Sequence, residues 1–239
     1  SASVLYDILR KISSNADLIF DLKSEKRLSL KSVNSDFNLL CLPIDNFPTF
    51  SDEFESEVVN LDKHRFLKLL NKTKISISND DTRHYLNGVY LHVTEANGRN
   101  FLTGVATDSH RLSSSSLEIN TINNFSSLIL PRKAVFQMCT LLSETSEKLE
   151  MQASENKIKF SIGKITLISK VIDGKFPDYK KVVPSQNDKT LIVSSKDFIN
   201  SIERVASVSI DRKEGVKLSL SKDTVQLSVN SANSGDCLL

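Results

Sequence analysis

Two stretches of this 239-residue chain end in the same way: PIDNFPTF at 43–50 and VIDGKFPDY at 171–179. Each follows an amphipathic helical segment and three short alternating runs. In the first, Val4, Leu5, Ile8, Leu9 and Ile12 form a stripe, followed by DLIFDLK, RLSLKSV and FNLLCLP. In the second, Val135, Phe136, Cys139 and Leu142 form the stripe, followed by KLEMQAS, NKIKFSI and KITLISKVI. A second series repeats at the same interval: Phe66 of KHRFLKLL matches Phe198 of KDFINSIERVAS, and Gly88 of NGVYLHV matches Gly215 of EGVKLSL. Two independent series at about 130 residues point to a duplicated domain.

The repeat is out of phase with the chain. Residues 1–55 read as the second half of one domain, 56–188 as a whole domain, and 189–239 as the first half of a third. Each half is one helix plus several short strands, which predicts an α+β class with largely antiparallel sheet. No Gly/Ser- or Pro-rich linker separates the units, so close packing is expected.

Composition narrows the function classes. With 39% hydrophobic and 25% charged residues the chain is an ordinary globular one. No apolar run approaches the roughly 20 residues that span a bilayer, and SASVLYDILRKI lacks the layout of a signal peptide. The three cysteines are odd in number and far apart; Cys41 and Cys139 sit in apolar patterns that predict buried thiols. A reducing, cytoplasmic setting is the expectation.

The net charge of +2 is unevenly spread: helical segments 1–12, 62–75, 132–142 and 195–208 carry +1, +4, +2 and 0, which leaves −5 for the rest. Two readings stand. Either the helices form a basic surface for a polyanion, or Lys and Arg are there as good helix formers on solvated faces.

The stretch ATDSHRLS (106–113) sets Asp108, Ser109, His110 and Arg111 in a row. Extended neighbours such as Ser109 and His110 face opposite sides, which does not build a triad. The chain has no G-x-S-x-G elbow, P-loop or dinucleotide fingerprint. No H-x-x-x-H or C-x-x-C spacing suggests a metal. The expectation is a non-catalytic protein without cofactor or metal, in which ATDSHRLS is a hairpin bend. No helix-turn-helix, zinc-finger or aromatic RNA-binding pattern appears either, so any DNA contact would be with phosphates and indifferent to sequence.

ATDSHRLS, DDTRHYLNGVYL (80–91), ILPRKAV (129–135) and VIDGKFPDYKKVVP (171–184) together resemble the bacterial DNA polymerase III β subunit, or sliding clamp, in order and spacing across essentially the whole chain. The resemblance implies the DNA-clamp fold: repeated domains, each with two helices packed on antiparallel sheets, in a head-to-tail homodimeric ring with helices lining the hole. It implies a processivity factor that tethers the replicative polymerase to duplex DNA without sequence preference. It also implies a hydrophobic cleft for short peptides of polymerase, clamp-loader and repair proteins. By motif, the cleft residues would be Arg83, Leu86, Thr107, Ser109, His110, Arg111, Leu112, Pro177, Lys181 and Val182. The residues facing DNA would be Arg10, Lys11, Arg65, Lys68, Lys72, Arg132 and Arg204 on helices, with His84 and Tyr85 on a loop.

Two departures from the family pattern follow. Ser109 stands where many members have Gly, and the Met- and Pro-containing tail that closes the cleft in relatives lies beyond SANSGDCLL. The family's first half-domain is also absent from the sequence, so the chain reads as truncated at both ends. Two other classes stay open. One is a peptide-binding scaffold, a clamp fragment that no longer encircles DNA; the other is a hydrolase built on Ser109 and His110.

Overall fold

A computed structural model describes residues 1–47, 49, 53–120, 125–144, 147–208, 215–231 and 235–238. Pro48 and Phe50 of the first closing motif lie outside the described residues. The chain divides into two compact units, Ser1–Pro177 and Asp178–Leu239. Among the described residues no helix is long and apolar enough to cross a membrane.

The first unit begins with α1 (Ala2–Leu9) and a meander of β1 (Ile19–Ser24), β2 (Arg27–Ser32) and β3 (Ser35–Leu40), antiparallel in that order. Leu30 of β2 is fully buried, whereas α1 buries none of its residues. Cys41 just after β3 is half-buried, not enclosed as its apolar surroundings predict.

Next come β4 (Val59–Leu61), α2 (Lys63–Thr73) and a meander of β5 (Gly88–Ala96), β6 (Arg99–Thr107) and β7 (Leu112–Ile119). Then follow β8 (Leu128–Pro131), α3 (Arg132–Glu144) and a second meander of β9 (Leu149–Ala153), β10 (Lys157–Ile162) and β11 (Ile165–Lys170). The two halves exchange strands. The sheet orders are β7-β6-β5-β8 and β11-β10-β9-β4, so each half lends its leading strand to the other's sheet.

Local chemistry accounts for the boundaries. Asp62 caps α2 by accepting the Arg65 N–H at 2.8 Å, a contribution of about 1 kcal/mol. Thr73 closes the helix by donating its hydroxyl back to the Leu69 carbonyl at 2.9 Å. Asn97 and Gly98, both at positive φ, form the two-residue turn between β5 and β6.

The core lies between the two halves. Phe66, Leu69 and Leu70 of α2 and Val135, Met138 and Leu142 of α3 join Met151 and Phe160, all almost fully buried. The Phe66 and Phe160 rings sit 5.7 Å apart. Each such side chain contributes roughly 1.5–3 kcal/mol of apolar burial. Phe136, placed in the apolar stripe by sequence periodicity, is instead 41% exposed; Met138 takes the inward position. Spacing alone sets the stripe off from the buried face at this point, because the face of α3 that turns inward is set by α2.

The second unit holds a short 3-10 turn at Tyr179–Val182, α4 (Ser195–Ala206), and the meander β12 (Lys217–Ser221), β13 (Thr224–Ser231) and β14 (Gly235–Leu238). Val205, Leu227 and Val229 form its small core, with Phe198 and Ile202 packed against them.

Candidate functional site

ATDSHRLS is the bend between β6 and β7, with Thr107 paired to Leu112 at its base. Asp108 holds the bend: its Oδ1 accepts the His110 and Arg111 N–H groups, each at 3.0 Å, and its Oδ2 accepts Arg111 Nε at 3.1 Å. Thr107 Oγ1 accepts the Ser109 N–H at 3.1 Å and donates to the Arg111 carbonyl at 2.8 Å. Partial burial pushes the Asp108 pKa up, but the Arg111 and His110 amides and the Arg111 guanidinium together outweigh it. The carboxyl is held below its ordinary value.

That arrangement does not make a nucleophile. None of the hydrogen bonds described joins the His110 ring to Ser109 or Asp108, and the acid is engaged by backbone. The Ser109 hydroxyl instead accepts Arg83 Nη1 at 2.6 Å. Ser109 has φ +73°, the left-handed conformation that explains why Gly suits this position.

Arg83 is fixed from its other side as well. Its Nε donates to Asp80 Oδ2 at 2.9 Å, and Asp80 Oδ1 accepts both the hydroxyl (2.6 Å) and the amide (2.9 Å) of Thr82. The Thr82 hydroxyl and amide, then Arg83, hold the Asp80 carboxyl below its usual range. The 81–86 segment is a kinked 3-10 turn with Arg83 off helical geometry. A second tie, between the Ser76 and Ser113 hydroxyls at 2.6 Å, fixes the start of β7.

The segment 172–177 flanks the other side of this turn. Phe176 is buried and stacks on Tyr90 of β5, with centroids 4.9 Å apart and planes within 3°. Gly174, at φ +138°, passes so close to Tyr85 and His84 that a side chain there would be in contact with both. Pro177 follows at the surface.

The residues expected in the cleft therefore divide. Arg83, Thr107, Ser109, His110, Arg111 and Leu112 are gathered at the bend, with Leu112 half-buried. Leu86 is only 2% exposed and belongs to the interior, beneath the surface it was expected to line. Lys181 and Val182 lie on the second unit's 3-10 turn, and both are exposed. Asp80, which positions Arg83, escaped the sequence reading; the D-x-x-R spacing before HYL was its only signal.

Of the expected DNA-facing residues, Arg65, Lys68 and Lys72 are exposed along the face of α2 opposite Phe66, Leu69 and Leu70. Arg10 and Lys11 are exposed just after α1, and Arg204 is exposed on α4. His84 and Tyr85 sit edge to face, 5.9 Å apart. Arg132 is half-buried, donates to Asn79 Oδ1, and lies 5.1 Å over the Phe136 ring. Lys74 lies 5.6 Å over the same ring. Exposed Phe136 between two cations is a feature that sequence periodicity missed by assigning it to the core.

Residues 60–178 match the family model of the DNA polymerase III beta subunit, central domain, and 180–237 match that of its C-terminal domain. The chain belongs to the DNA polymerase III beta subunit family. The beta sliding clamp of Caulobacter vibrioides is 34% identical over 239 residues, covering 99% of this chain and 64% of that protein. The Rickettsia felis beta sliding clamp is 36% identical over 233 residues, 95% of this chain and 60% of the relative. Among solved structures, a Caulobacter crescentus beta sliding clamp superposes with a TM-score of 0.92 at 34% identity, over 100% of this chain and 64% of that one. A Bartonella birtlesii DnaN sliding clamp bound to griselimycin gives 0.92 at 37% identity, over 99% and 64%. The chain thus spans about 64% of the length of these beta clamps, and its α+β fold of antiparallel sheets and few helices is the clamp fold.

Proposed function

We propose that this chain works as part of a DNA-encircling processivity factor that tethers a replicative polymerase and other peptide-bearing partners to duplex DNA, with no catalytic centre of its own. The observation that carries the reading is the fixed bend at 107–112. A half-buried Leu112 stands beside hydrogen-bonding groups on Thr107, Ser109, His110 and Arg111, held by Arg83, inside a segment that matches the clamp family's central domain. Apolar wall next to backbone-bonding groups suits a short extended peptide with Leu or Phe anchors. Pro177 is added to the cleft by family resemblance.

DNA contact would run through Arg65, Lys68, Lys72 and Arg132 in the first unit and Arg204 in the second, with Arg10, Lys11, His84 and Tyr85 in support. These residues offer charge without a base-reading device, so the contact would be loose and independent of sequence.

Fluorescence anisotropy with a labelled Gln-Leu-x-Leu-Phe peptide tests the docking role. Saturable binding that Leu112→Asp removes is the expected result. Binding left unchanged by that substitution would move the peptide site elsewhere.

A further inference from the structure

Phe136 is the aromatic side chain that α3 turns outward, and it is 41% exposed. A phenyl ring left in water forgoes apolar burial, yet this ring is not bare. The Arg132 guanidinium carbon lies 5.1 Å from its centroid and Lys74 Nζ lies 5.6 Å from it. Lys74 opens the 3-10 turn Lys74–Ser76 that follows α2, so the ring joins the end of one helix to the start of the other. Arg132 is held at two further points. Its side chain donates to Asn79 Oδ1, and its N–H donates to the Asn87 carbonyl at 2.9 Å. Both cations are half-buried.

The manner of holding decides what the two charges can do. A carboxylate fixes a cation and neutralises it, whereas a ring face fixes it and leaves its charge in place. Arg83, Arg99 and Arg111 of the same unit are tied to Asp80, Glu118 and Asp108. Among the described residues neither Lys74 nor Arg132 is in an ion pair. The exposed neighbours of Phe136 on α3 are Lys133, Gln137 and Thr140, which add a positive charge and no acid. A second ring shared by two cations shows the contrast. Lys157 and Lys159 lie 4.6 and 5.1 Å from the Phe54 centroid, but Glu53, Glu55 and Glu57 flank that ring in sequence and outnumber them.

Fixed cations without a carboxylate suit an anionic ligand that brings its own charge. Lys72, the last of the exposed basic row on α2, is two residues from Lys74. We propose that Lys74 is a further phosphate contact for DNA, and that Phe136 is a positioning residue that holds Lys74 and Arg132 ready for the phosphate backbone. This rests on the reading of DNA contact given above. A cation already fixed on a ring loses less side-chain freedom when it binds, so Phe136 raises affinity without adding a phosphate contact.

Equilibrium binding of a labelled duplex oligonucleotide over a salt series tests this, because the slope against log salt counts phosphates separately from affinity. Lys74→Gln is expected to make the slope shallower by about 0.9. Phe136→Leu keeps both charges and most of the apolar bulk. It is expected to keep the wild-type slope while affinity falls roughly two- to fivefold. Phe136→Tyr restores the ring and should restore the affinity. Lys74→Gln with the wild-type slope overturns the proposal, as does Phe136→Leu binding as tightly as Phe136→Tyr. If Phe136→Leu unfolds, Lys74→Gln still decides, since it removes a charge and no packed ring. Reversal of Arg65, Lys68 and Lys72 to Glu is the reference. If that reversal weakens binding and Lys74→Gln changes nothing, only this proposal falls. If wild type shows no salt-dependent binding, the reading of DNA contact falls and takes the proposal with it.

Discussion

Arg83 Nη1 donates to Ser109 Oγ at 2.6 Å and so ties the 81–86 turn to the β6–β7 bend. The same Ser109 occupies a backbone conformation, φ +73°, that disfavours any Cβ. The hydroxyl offsets a strain that its own side chain creates.

The two effects separate by substitution. Ser109→Gly removes both the strain and the bond, and is expected to leave stability nearly unchanged. Ser109→Ala keeps the strain and loses the bond. It should be less stable than Ser109→Gly by about 1 kcal/mol, read from urea midpoints at unchanged slope.

Gly88 and Gly215 are repeat partners with different surroundings. A Cβ on Gly88 would collide with the Leu130 carbonyl of the paired strand, whereas Gly215 has open space around it. Gly88→Ala should cost roughly 1–3 kcal/mol or more, and Gly215→Ala close to nothing, in the same unfolding assay.

Asp80 and Asp108 both have carboxyls held below the ordinary value of 3.8. Groups with depressed folded pKa values contribute stability that is complete above the unfolded value and is lost as pH falls through the folded one. The bend should therefore be intact at neutral pH and loosen only as the pH drops below about 4. Amide exchange at His110 and Arg111, whose N–H groups Asp108 accepts, is the readout; Asp108→Asn should remove the acid dependence there.

Burial pushes the Cys139 thiol up, and nearby Lys74 offsets this only in part. Cys139 is buried, whereas Cys41 is only half-buried and its sulfur is easier to reach. Alkylation of the native protein should label Cys41 well before Cys139, and denaturation should remove the difference. Peptide mapping of the labelled chain checks the order.

Reversing Arg65, Lys68 and Lys72 to Glu should weaken DNA association equally on unrelated sequences. Every phosphate that the protein no longer neutralises should make the slope of log affinity against log salt shallower by about 0.9. A weakening confined to particular sequences would speak for base readout.

The four helices and the meander strands were legible because helical and strand periodicity survive in the raw sequence. The strain at Ser109 was legible too, since a non-Gly residue stood where Gly is common. Leu86, Phe136 and Cys41 were not. Whether an apolar side chain lies in the core or at the surface depends on which element packs across from it, and α2, α3 and the meanders fix that only in three dimensions. Asp80 was hidden because its role depends on Arg83 reaching a residue distant in sequence.

The most direct test of the central claim is retention on closed DNA. Protein assembled on a nicked circular plasmid is passed through gel filtration before and after the plasmid is cut once. A topological tether stays with the circle, leaves after linearisation, and stays again when the free ends are blocked by bound protein. Equal retention on circular and linear DNA would mean surface binding and would contradict encirclement.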